Sequence, residues 1–157
     1  MPEAKPAAIR ATDIPPRSGS SYLPEYAKAV EGRAKRALGN AFGLDQFGIN
    51  LVTMQPGAWS SHRHWHERED EFIYVLEGEI TLVNDQGEHT LTPGMCAGFK
   101  AGDPNGHKLV NKTAGVVTYL EAGTRYTEEV AHYSDIDMKA VKTGGTFRFT
   151  RKDGSSL

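Results

Sequence analysis

His62-Arg63-His64-Trp65-His66-Glu67-Arg68-Glu69-Asp70-Glu71-Phe72-Ile73-Tyr74-Val75-Leu76-Glu77-Gly78 is the stretch on which the reading of this chain turns. Three of the six histidines fall within five residues here, and an acidic residue and an apolar run follow. Successive side chains of an extended strand point to opposite sides, so His64 and His66 share one side and Trp65 takes the other. Glu71 follows far enough along for a tight turn to return it as the first residue of the next strand. That strand, 72–76, is apolar at every position rather than alternating, which predicts that both of its faces are covered. The N-terminal arm, residues 21–45 or a second copy of the chain are the candidates, and a homodimer is the expectation.

Outward from this stretch, short β-branched and aromatic runs recur between turn signals. Residues 48–54 end at Pro56-Gly57, and residues 80–83 and 89–91 flank Asn84-Asp85-Gln86-Gly87, which predicts a hairpin. Residues 96–99 follow Pro93-Gly94, 107–110 follow Asp103-Pro104-Asn105-Gly106, and 116–120 follow Thr113-Ala114-Gly115. Many short strands without intervening helices predict an all-β, antiparallel double sheet. Thr146-Phe147-Arg148-Phe149-Thr150 alternates like an edge strand. Pro2, Pro6, Pro15 and Pro16 and a Ser-Gly-Ser run make the first 20 residues an extended, flexible lead. Pro24 can open one short helical turn, which Gly32, Gly39 and Gly43 keep short. The expected division is an N-terminal arm and irregular lead over 1–46, a barrel core over 47–122, and a C-terminal extension over 123–157 that packs on the barrel or is partly disordered.

Composition narrows the function classes. With 157 residues, 18 Lys and Arg against 20 Asp and Glu, and no basic run, one domain without a nucleic-acid footprint is expected. No stretch approaches a membrane span and the N-terminus lacks the apolar core of a signal peptide, so a cytoplasmic protein without membrane partners is the expectation. The single cysteine, Cys96, reads as a small buried apolar side chain.

His107, at the start of a later strand, is the natural fourth member of the His64, His66 and Glu71 group. Three imidazoles and one carboxylate suit one divalent transition metal among manganese, iron, cobalt, nickel, zinc and copper. They leave up to two octahedral positions open for a small molecule, which favours a reactive ion over a structural one. His62 shares the parity of His64 and is the alternative ligand, although the spacing to Glu71 and Gly78 favours the His64, His66 pair. His89 and His132 read as surface residues, Trp65 as packing, and the charges from Arg63 to Asp70 as a solvated turn. Lys100 and Tyr74 are candidate contacts to an anionic substrate.

These residues resemble the paired motifs of the cupin superfamily. The first is His64-Trp65-His66, four residues, Glu71, six residues, Gly78; the second is Gly98, five residues, Pro104-Asn105-Gly106-His107, three residues, Asn111. Two departures stand out: six residues rather than five separate Gly57 from His64, and His107 follows Gly106 without the usual two-residue gap. The resemblance spans 47–122 and implies a jelly-roll (double-stranded β-helix) barrel with a metal near one end. It also looks like the small bacterial single-domain cupins described as sugar-phosphate isomerases.

Three functions follow as expectations. The first is an isomerase or epimerase in which the ion binds two oxygens of a small polar substrate and stabilises an enediolate, with Glu71, Tyr74 or Glu77 as candidate bases. The second is a ferrous-iron dioxygenase. The third is a non-catalytic barrel that binds a small molecule through the metal.

Overall fold

The computed structural model describes residues 5–157. Thirteen strands form three antiparallel sheets. The largest has six strands in the order β1 (Arg17–Ser18), β2 (Arg33–Ala37), β3 (Phe47–Met54), β10 (Val117–Thr124), β5 (Glu71–Glu77) and β8 (Cys96–Phe99). A four-stranded sheet runs β13 (Thr146–Thr150), β12 (Lys139–Thr143), β11 (Glu129–Tyr133), β4 (His64–His66). A third pairs the hairpin β6 (Ile80–Asn84) and β7 (Gly87–Leu91) with β9 (Lys108–Val110). The strand pattern predicted packed antiparallel sheets, and the jelly-roll barrel they form is the one the cupin resemblance implied.

The core lies where inward residues of these sheets meet: Val52 and Met54 of β3, Ile73 and Val75 of β5, Ile80 and Leu82 of β6, Leu109 of β9, Val117 and Tyr119 of β10. Strand β10 is central, paired with β3 over eight positions and with β5 on its other side. The turn from β5 to β6 is made by Gly78, whose φ of +78° lies in the left-handed region. A Cβ there would stand 2.8 Å from the Val116 carbonyl oxygen, so this position needs glycine for space as well as for angle.

The predicted hairpin forms with Asn84 opposite Gly87, and Pro24–Ala27 is a single helical turn continued by a 3-10 turn to Val30. Two expectations are corrected. Residues 14–19 of the lead are tied down rather than loose: β1 pairs with β2, and Arg36 and Arg33 of β2 donate to the carbonyl oxygens of Ile14 and Gly19. Residues 1–4 of that lead lie outside the described residues. Cys96 is exposed, because it pairs with Tyr74 on the outer face of the sheet at its edge strand. Among the described residues the chain itself covers the apolar run of β5 on one face, so of the three expected covers for the other face only the second copy is left open. Ile73 and Val75 are buried, whereas Phe72, Tyr74 and Leu76 are 44%, 40% and 38% exposed. The N-terminal strands lengthen the sheet beyond β3 instead of crossing the outside of β5.

Residues 129–150 supply three strands, with β13 at the edge, and β11 pairs with β4. A second apolar cluster holds them to the body, with Ala131, Tyr133, Met138 and Ala140 packed against Tyr22, Tyr26 and Phe149.

Candidate metal centre

β4 is only three residues long and is held from both sides. Tyr133 and Ala131 of β11 stand opposite His64 and His66, and on the other edge His64 forms an isolated bridge with His107. Each main-chain N–H of the bridge donates to the other residue's carbonyl. Directly opposed residues in an antiparallel pair project from the same face, so the bridge sets both imidazoles side by side. Their ring centroids are 4.9 Å apart, as are those of His64 and His66. Phe99 stacks flat on the His107 ring at 3.5 Å and fixes its plane.

Glu71 opens β5 and returns to face this group. Its carboxylate oxygens lie 2.8 Å from His107 Nε2, 3.4 Å from His66 Nε2 and 3.7 Å from His64 Nε2. The three Nε2 atoms therefore converge on one carboxylate. The ligand atoms of His64, His66 and Glu71 all lie within 4.8 Å of one another. His64 Nδ1 donates to the His62 carbonyl oxygen at 2.9 Å, which fixes the tautomer and leaves the Nε2 lone pair free toward the group. Glu71 Oε2 is buried without a hydrogen bond although imidazoles surround it, as expected of ligand atoms aimed at a common point rather than at each other. By donor type and convergence, these residues fit a divalent transition metal.

Electrostatics agree. Burial pushes the His64 imidazole down to about 3, which keeps it neutral at ordinary pH. Burial works to raise the Glu71 carboxyl, but the neighbouring His107, His66 and His64 imidazoles outweigh it and hold the group well below the usual range. Burial also lowers His66, yet the carboxylates of Glu71, Glu129 and Glu69 prevail and raise its pKa.

The turn between β4 and β5 is pinned by Glu129, which is 3% exposed. Its carboxylate accepts the N–H groups of Glu67 at 2.9 Å, Arg68 at 3.0 Å and Val130 at 2.7 Å. Glu129 and Glu69 also approach His66, but Glu69 is taken by Lys142 at 2.7 Å and by the Tyr126 N–H. Both are committed to holding the turn.

The remaining readings separate cleanly. His62 turns its Nε2 to the Tyr26 carbonyl oxygen at 2.9 Å and packs among Tyr22, Tyr26 and Trp59, away from the Glu71 group. Trp65 stacks on His132 at 4.4 Å, and His132 meets Glu67 at 2.7 Å. Lys100 is 77% exposed and paired with Asp70. Tyr74 and Glu77 are exposed and do not line the cavity beside the histidines, so neither serves as a base there.

That cavity, about 650 Å³, has His64, Glu71 and His107 in its wall. Several of its polar residues were missed in the sequence: Arg33 and Lys35 of β2, Asn50 of β3, Tyr119 and Glu121 of β10. Lys35 Nζ lies 2.5 Å from Glu121 Oε1, which also accepts from Asn50 at 2.9 Å. Their spacing of two along each strand, Arg33 and Lys35, Tyr119 and Glu121, was the available signal.

A barrel carrying a His and Glu cluster in the wall of its cavity defines the class: a β-barrel protein with a candidate metal site. The chain belongs to the cupin superfamily. A cupin-domain family profile matches residues 50–123. The structure is similar to a cupin-superfamily sugar phosphate isomerase from Silicibacter pomeroyi, with TM-score 0.93 and 51% identity over 96% of each chain. It is also similar to a proposed sugar phosphate isomerase from Acidithiobacillus ferrooxidans, with TM-score 0.73 and 27% identity over 80% of each chain. The polyketide cyclase RemF from Streptomyces resistomycificus shares the fold, with TM-score 0.61 and 24% identity over 74% of this chain and 78% of that one. No curated protein sequence matches the chain closely enough to count. Cupin domains commonly bind a divalent metal, and the His and Glu group here is able to hold one.

Proposed function

We propose that this chain is a metal-dependent isomerase of a small polar substrate, with His64, His66, Glu71 and His107 as ligands of one divalent transition metal. The observation that carries the reading is the convergence of three Nε2 atoms on the Glu71 carboxylate, at 2.8 to 3.7 Å, in the wall of an open cavity. The S. pomeroyi relative, a sugar phosphate isomerase by its printed description, supports the reaction class. A bound ion supplies a Lewis acid for the substrate's oxygens.

The chain's own residues do the rest. Glu121 is the cavity carboxylate outside the ligand set that faces inward from β10, and Lys35 and Asn50 hold its Oε1. We assign to Glu121 the carrying of a proton between substrate carbons, a role for which position matters before acidity. Phe99, flat against His107, holds that imidazole in its plane.

The exposed row of Phe72, Tyr74 and Leu76 is the face we assign to a second copy of the chain, giving a homodimer. A cytoplasmic setting goes with this reading. Among the described residues no helix is long and apolar enough to cross a membrane.

Elemental analysis of untagged protein, with His64→Ala and His107→Ala beside it, tests the ligand set. About one equivalent of metal in wild type, lost in both variants, is the expected result. Interconversion of aldose and ketose phosphates by the loaded protein, abolished in Glu121→Gln, tests the reaction. Oxygen uptake with ferrous iron in place of isomerisation would redirect it to dioxygenase chemistry.

A further inference from the structure

Two residues in the cavity wall have hydrogen-bonding capacity that the protein itself does not use. Arg33 projects inward from β2, and its guanidinium donates to the carbonyl oxygens of Ser60 and Gly19. Those two neutral acceptors leave much of its five-donor fork unspent. Among the described residues no carboxylate pairs with it, although other cations of the same cavity are neutralised: Lys35 by Glu121 and Lys142 by Glu69. Arg125, which also lacks a carboxylate, sits at the exposed rim on Leu44 and Asn40. Arg33 is half-buried beside Ser60 and Ser61, the segment that leads into His64.

Tyr119 is the second. It is fully buried, it lines the cavity, and its hydroxyl has no hydrogen-bond partner. Buried polar groups are nearly always satisfied, and a phenol without a partner costs stability that a phenylalanine would not. Tyr119 stands opposite Val52 of β3, which stands opposite Lys35 of β2, so Tyr119 and Arg33 lie on the same inner face one pleat apart. Glu121, two residues on along β10, shares that inner face, and the cavity wall that holds both also holds Arg33 and Glu71. Burial holds the phenol far above its ordinary pKa, so it is a donor at any working pH.

We propose that Arg33 and Tyr119 form the anion-accepting half of the site: the guanidinium pairs with a phosphate or carboxylate of the ligand, and the phenol donates to an oxygen of the same molecule. A planar fork suits both anions, because two parallel N–H groups match two oxygens. For the other half of the ligand this rests on the metal-isomerase reading; the anion half stands on Arg33 and Tyr119 alone.

Calorimetric titration of metal-free protein with inorganic phosphate and, in parallel, acetate tests it, using Arg33→Gln, Arg33→Lys and Tyr119→Phe. The expected result is that the anion bound by wild type is bound about tenfold more weakly by Arg33→Gln and severalfold more weakly by Tyr119→Phe. Arg33→Lys, which keeps the charge and loses the fork, falls between and decides the matter if Arg33→Gln does not fold. Tyr119→Phe should melt at or above the wild-type temperature, since it removes a group without a partner. Preference for phosphate identifies a phosphate ester, and preference for acetate a carboxylate ligand. The proposal is overturned if wild type binds neither anion, if either Tyr119→Phe or the folded Arg33 variants bind as wild type does, or if Tyr119→Phe melts markedly lower. Elemental analysis of the same preparations keeps the two readings apart. Protein that never takes up metal but loses phosphate in the Arg33 variants would overturn the metalloenzyme reading and sustain this one.

Discussion

His64 and His107 face one another across an isolated antiparallel bridge, each main-chain N–H donating to the other's carbonyl oxygen, at 3.1 and 2.9 Å. Forty-three positions of chain separate them, yet main-chain pairing across the bridge makes them neighbours. The bridge sets two of the candidate ligand imidazoles side by side, so metal affinity should depend on those imidazoles. His107→Ala should lower metal affinity by about 100-fold or more while the protein stays folded, because the bridge uses main-chain groups only. Folded His107→Ala binding metal as wild type does would remove His107 from the ligand set.

Glu129 touches no substrate position but holds the turn that joins His66 to Glu71. Glu129→Gln keeps the shape, loses a charged acceptor of three N–H groups, and should cost about 1–3 kcal/mol in chemical denaturation. Metal affinity should fall by about tenfold in step, as for residues that orient ligands. Loss of stability with unchanged affinity would show that the turn is not what positions Glu71.

Metal-free protein should be most stable near the ordinary histidine pKa. His64 falls from 6.5 to about 3 in the fold, so below 6.5 the unfolded chain binds the extra proton and stability drops as pH falls toward 3. The limiting slope is about 1.4 kcal/mol per pH unit. His66 is raised above 6.5, so it contributes stability that is present below 6.5 and is lost as pH rises through its folded value. Melting temperatures of chelator-treated protein from about pH 4 to about pH 9 read both limbs. His64→Gln should flatten the acid limb between 6.5 and the carboxylate range, below which Glu71 adds its own loss, and an unchanged limb there in that variant would refute the assignment.

Gly78→Ala combines a left-handed backbone angle with a Cβ set against the Val116 carbonyl oxygen, so it should destabilise the fold by about 1–3 kcal/mol. The β5 to β6 turn lies away from the histidines, so metal stoichiometry in the folded fraction should not change. A melting temperature equal to that of wild type would mean that the turn relaxes freely.

Phe72 and Leu76 leave β5 on the side opposite Ile73 and Val75. Sedimentation should find a dimer for wild type and a monomer for the double variant Phe72→Asp and Leu76→Asp, with metal content retained. A wild-type monomer would leave this apolar row without the second copy assigned to it.

Much of the barrel was legible because the physics that sets it is local. Turn residues such as Asn84 to Gly87 and Pro93-Gly94 punctuate apolar runs, and β3, β5, β6, β7 and β10 formed where those runs lie. Parity alone put His64 and His66 on one side and Trp65 on the other. By contrast, Arg33-Ala34-Lys35-Arg36-Ala37 has no β-branched residue and read as irregular, yet it is β2, because pairing with β3 satisfies its main chain. The burial of Cys96 was misread for the same reason: whether a residue faces in or out of an edge strand depends on the register with its neighbour.

The sequence by itself determined the cupin motifs, the four candidate ligands and the strand periodicity, because motif spacing and side-chain alternation are properties of a few consecutive residues. Only the tertiary structure decided that His107 bridges His64, that His62 turns away to Tyr26, that β11 carries Glu129 to the ligand turn, and that Arg33, Glu121 and Tyr119 share one cavity. Each of these joins residues far apart in the chain, and such contacts come from sheet order and register, which the long-range packing of apolar faces selects rather than local preference.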